Sequence, residues 1–76
     1  MQNFAGTLSI QGSTSALIEQ NAILLLAGFP DVNQAKNAAT NFIQNVKGIA
    51  SGAAVVVTGD ASVVGTQPVI VMTDIH

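Results

Sequence analysis

The stretch Ser15-Ala-Leu-Ile-Glu-Gln-Asn-Ala-Ile-Leu-Leu-Leu-Ala27 decides how the chain is read. After Ser15, only Glu19, Gln20 and Asn21 interrupt an apolar run. At 3.6 residues per turn, Leu17, Ile18, Ala22, Leu24, Leu25 and Ala27 cover one side of a helix, while Ile23 and Leu26 point elsewhere. Gly12-Ser13-Thr14 offers a hydroxyl N-cap ahead of it. Gly28 suits the left-handed position that ends many helices, and Phe29-Pro30 forbids continuation. The stretch is therefore predicted as a helix. A helix apolar almost all round has to be covered on more than one side.

Upstream, residues Asn3 to Gln11 alternate, with Phe4, Gly6, Leu8 and Ile10 on one face, as in a half-buried strand. Downstream, Asp31 is an N-cap with Gln34 three residues on, and a second helix runs from there to about Lys47 and Gly48. Val32, Ala35, Ala39, Phe42, Ile43 and Val46 keep helical spacing within it. Beyond Gly48 the pattern turns β-branched. Ala53 to Thr58 reads as a strand, Gly59-Asp60 as a hairpin turn, Ala61 to Gly65 as a returning strand, and Val69 to Ile75 as a last strand after Pro68. The expected fold is α+β in β-α-α-β-β-β order. Two helices pack on one face of a small, mostly antiparallel sheet, all within a single domain over residues 1–76.

Composition narrows the function. The chain has 76 residues, of which 8% are charged, a third of the usual share. Six Asn and six Gln supply much of the polarity instead. Lys36 and Lys47 are the only cations, too few to neutralise a nucleic-acid backbone or to hold an anionic membrane surface. Cysteine is absent, which excludes disulfides, thiolate metal sites and thiol nucleophiles. No secretory leader and no membrane-spanning run is read in the sequence, so synthesis in a cytoplasm is expected. A domain this small has a marginal core, and self-association is the remaining way to add burial.

Residues that carry chemistry are few. Gly59-Asp60 lacks the further glycines of a phosphate-binding loop. Asp74 and His76 share a strand face, but no second His or Cys completes a metal site with them. Glu19 is the one acid placed mid-helix in an apolar setting, where burial would raise its pKa, but it is expected with Gln20 on the polar edge of the helix. Asp31 serves as a cap, and His76, the sole histidine, lies too near the end of the chain to be an obvious general base. No catalytic, cofactor-binding or metal-binding residue is assigned, and no enzyme activity, cofactor, nucleic-acid partner or membrane partner is expected. The remaining pattern is a row of amides, Asn33, Asn37, Asn41 and Asn45, at every fourth residue of the second helix. The row reads either as an ordinary solvated face that uses amides or as a packing surface, since amides can pair across a contact without the desolvation that charges bring.

The functional expectation is a structural or assembly protein, a small subunit that forms homo-oligomers or packs with other structural proteins, in a virion or another assembled particle. Its interface is expected at Asn33, Asn37, Asn41, Asn45, Ile23 and Leu26. The alternative is a small cytoplasmic binding module that takes a partner protein or an apolar ligand between helices and sheet. A pocket lined by Leu24, Leu25 and Phe42 would mark it.

Overall fold

In the computed structural model, which describes residues 1–76, the stretch 15–27 is not a helix. It forms two short strands, β2 (Thr14–Leu17) and β3 (Ala22–Leu26). The polar residues Glu19, Gln20 and Asn21 fall in the turn between them. Asn21 donates its N–H to the Ile18 carbonyl at 3.0 Å and adopts φ 49°, a left-handed conformation that asparagine tolerates better than most residues. The other strands are β1 (Gln2–Gln11), β4 (Ala54–Val64) and β5 (Gln67–Ile75).

The five strands close into a barrel in the order β1-β2-β3-β5-β4. All neighbours are antiparallel except β3 and β5, which run parallel with Ile23 opposite Val69 and Leu26 opposite Met72. The two-helix α+β expectation is thus overturned, and the physical reason lies in β3. Leu24 points into the barrel and is fully buried, while Leu25, on the outer face, is covered by Ala35 and Val69. A strand buried on both faces shows no alternation in sequence and imitates an all-round apolar helix.

One helix remains. α1 (Val32–Asn41) starts at Asp31, whose carboxylate accepts the Gln34 N–H at 3.1 Å, as expected for the cap. It widens into a π-turn, Phe42–Val46, where the Lys47 N–H reaches back to the Phe42 carbonyl at 3.0 Å. Ala39 and Ile43 plug the barrel and join Leu8, Leu17, Leu24, Val57, Ile70, Met72 and Ile75 in the main core. Buried Thr40 fixes the helix to the start of β2. Its hydroxyl donates to the Ser13 carbonyl at 2.8 Å and lies 3.1 Å from the equally buried Ser15 hydroxyl.

A second correction concerns Gly59-Asp60, which is not a turn. β4 runs straight through it, and the chain reverses at Gly65-Thr66 instead. Gly65, at φ +63°, takes the first position of this two-residue turn, the place where a primed hairpin turn wants glycine. Gly59 serves another purpose. The β4–β5 register shifts between Thr58 and Gly59, and β5 presses so close there that a Cβ on residue 59 would sit 2.8 Å from Met72 Cα. The short returning strand and last strand of the sequence reading are therefore the far half of β4 and all of β5.

Candidate functional site

The six residues singled out from sequence fall into two groups. Asn33, Asn37, Asn41 and Asn45 are all exposed on the outer face of α1 and the π-turn, and Asn45 donates its side-chain amide to Asn41 Oδ1. Ile23 and Leu26 lie apart from that row, half-buried in β3. Ile23 packs on Leu25, Ala35 and Val69, and Leu26 on the main core. The surplus apolar surface that a helix would have turned outward is absorbed by barrel closure.

Glu19 is exposed, in the β2–β3 turn, rather than on a helix. Its carboxylate accepts the Thr7 N–H at 2.6 Å and the Thr7 hydroxyl at 2.9 Å. The Thr7 main-chain bond, first, and then the Glu19 backbone and the Thr7 hydroxyl, hold its pKa below the ordinary glutamate value. The shift is opposite to the one that burial would have caused. A depressed carboxylate contributes stability above its unfolded pKa, about 4.3, and loses it as pH falls through the folded value. Glu19→Gln is accordingly expected to melt slightly below the wild type at neutral pH, with the gap closing in acid. A gap that is unchanged from pH 7 to the acid range would refute the role of the charge.

Glu19 and Thr7 rim the one pocket of the molecule, about 350 Å³, an open depression on the outer face of β1 and β4 that also touches His76. It is not a cavity between helix and sheet, and Leu24, Leu25 and Phe42 do not line it. His76 is tied down by its backbone, exchanging hydrogen bonds with Val56 at 2.7 and 3.0 Å. Asp74 is engaged by Lys47 Nζ at 2.7 Å, which lowers its pKa, and Lys47 also lies 5.6 Å above the Phe42 ring. The paired residues Asp74 and His76 thus have separate structural partners.

Among the strand edges that the barrel leaves unpaired are one on β1 and one on β4. β1 pairs with β4 over Gln2–Thr7 and with β2 over Leu8–Gln11, so its residues 2–6 have a strand on one side only. β4 pairs with β1 over Ala54–Gly59 and with β5 over Val57–Val64, so its residues 60–64 are likewise open on one side. The second edge projects past the barrel as part of the β4–β5 hairpin. There Val63 is 62% exposed and Val64 41%. Sequence reading missed this feature because it ended β4's first half at a turn. Gly59-Asp60 and Gly65-Thr66 both put glycine first between β-branched runs, so the local turn signal does not choose between them.

No protein family, no curated protein and no solved structure matches the chain. Five-stranded Greek-key barrels include oligonucleotide- and oligosaccharide-binding folds, whose ligands cross β2 and β3 and the loops β1–β2 and β4–β5. Here those loops are Gly12-Ser13 and Gly65-Thr66, and β2 and β3 carry neither an aromatic ring nor a cation for stacking or phosphate contact. The architecture by itself assigns no ligand.

Proposed function

We propose that the protein is a non-catalytic structural subunit whose copies pack against one another in a larger assembly. The observation that carries this reading is the β4–β5 hairpin, which presents an unpaired strand edge with exposed Val63 and Val64 and no ionisable residue between Asp60 and Asp74. A free monomer blunts such an edge with lysine, proline or a bulge, because unpaired N–H and C=O groups beside apolar side chains invite pairing with another chain. Here the only bulge lies at Thr58/Gly59, before the open segment begins. Exposed Ile18, Phe29 and Val46 add apolar area elsewhere on a surface poor in charge.

The purified chain is expected to scatter light, after size exclusion at tens of micromolar, as a species heavier than its 7.7 kDa monomer. Tens of micromolar is well above the dissociation constants of specific interfaces, roughly micromolar or tighter. A homogeneous monomer at that concentration would overturn the reading.

A further inference from the structure

The open edge of β4 has a defined direction and a defined end. Val56 exchanges both its main-chain hydrogen bonds with His76, on the β5 side. Alternation then turns the main-chain groups of residues 55, 57 and 59 toward β1. The register shift at Thr58/Gly59 skips a residue of β5, Thr73, and leaves the alternation of β4 intact. The N–H and C=O groups of Ala61 and Val63 therefore face the side that β1 has vacated. The edge stops at Asp60, because Met1 lies there with its amino group 3.0 Å from the Asp60 carboxylate.

We propose that two copies of this chain join edge to edge through β4, with Val63 of one copy opposite Val63 of the other across a two-fold axis, so that the sheet continues between molecules. The proposal rests on the reading of the chain as a self-associating subunit and names its contact. The register follows from the two ends of the edge. An antiparallel partner centred on Val63 places its Gly65 opposite Ala61, one residue short of Met1 and Asp60. A centre closer to Asp60 would drive the partner's turn into Met1, and one closer to Gly65 would leave Ala61 unpaired. Val63 then exchanges a reciprocal pair of hydrogen bonds with its symmetry mate, and its exposed side chain meets an identical one.

A second copy is the occupant favoured by charge. The segment from Ala61 to Thr73 contains no ionisable group, so two identical edges meet without like-charge repulsion, as a self-complementary two-fold contact requires. The open edge of β1 does not share this property. The Glu19 carboxylate already occupies the Thr7 N–H and would face the carbonyls of any incoming strand.

Two substitutions at one residue test the contact. Val63→Pro removes an N–H that bonds nothing within the chain, and Val63→Lys places a charge on the axis while keeping the main chain. In the assembled wild type, the Val63 amide is expected to be protected from hydrogen exchange. Both variants are expected to keep the wild-type circular dichroism while their mass in solution falls to half or less of the wild-type value. If Val63→Pro fails to fold, Val63→Lys decides. Variants that keep the wild-type mass would overturn the β4 contact and leave self-association standing. In that case, loss of mass in an Asn37→Glu/Asn41→Glu double variant would put the contact on the amide face of α1. A wild type that is itself monomeric would overturn both the contact and the reading it rests on.

Discussion

Gly59→Ala is expected to cost this barrel about 3 kcal/mol or more, the upper end of what overpacking a well-filled site produces. Gly59 is buried mid-strand, and a methyl group there would meet the backbone of β5, with Met72 Cα at 2.8 Å and the Val71 carbonyl carbon at 2.9 Å. Backbone cannot swing aside as a side chain can, so β4 and β5 would have to separate, and theirs is a long pairing, from Val57 to Val64. A domain of this size is held by roughly 4–11 kcal/mol, so the loss would consume a large part of its stability. Thermal denaturation should show a midpoint lowered by more than about 12 °C. Gly6→Ala makes a useful contrast. Its new methyl group would first meet Glu19 Oε1 at 2.7 Å, the far end of a movable side chain, and the cost should be smaller. A Gly59→Ala protein within about 1 kcal/mol of wild type in denaturant unfolding would contradict the close strand approach.

Leu24→Ala should be among the most damaging truncations within the stretch that decides the fold, at about 2–5 kcal/mol. Leu24 is fully buried in the barrel interior among the main core residues, on a strand held to β2 through Ala22 and Ile23 and to β5 through residues 23–26, which limits collapse into the vacated volume. Ile23, one residue earlier, is half-buried on the opposite face of the same strand, against Ala35 of the helix. Ile23→Ala should cost less than half as much, because water already reaches part of its side chain and the helix can settle toward the gap. Chemical denaturation of the two variants checks the difference. Equal losses would argue against the alternation of β3.

The candidate contact was only partly legible beforehand. The scarcity of charge is a property of composition, and it pointed to self-association with no structure in view. The amide row does lie exposed along one helix, as its spacing of four implied. The β4 edge could not be found in the same way. The edge is open because β1 pairs with β4 only as far as Gly59 while β4 and β5 stay paired to Val64 and Gln67, and relative strand lengths around a barrel leave no mark on any one strand.

The sequence by itself determined the elements whose signals are local. Period-two alternation specified β1, and the Asp31 cap and helical spacing specified α1. The β-branched stretch after Gly48 specified strands, though its turn was put at Gly59-Asp60 instead of Gly65-Thr66. In each correct case the deciding interactions lie within a few residues: a side chain capping an N–H three positions on, or alternate residues facing one core. Only the tertiary structure decided the conformation of residues 15–27. Leu24 and Leu25 are both buried, one by the barrel and the other by α1, so hydrophobicity is spent on both faces of the strand and its period disappears. Helix and strand then satisfy the same apolar run equally well. The choice falls to partners far away in the chain: β5, whose residues 69–72 run parallel to β3, and the Thr40 hydroxyl that fastens α1 over the start of β2. Barrel closure satisfies the backbone of β3 and covers both its faces at once, which a lone helix on one face of a small sheet could not do.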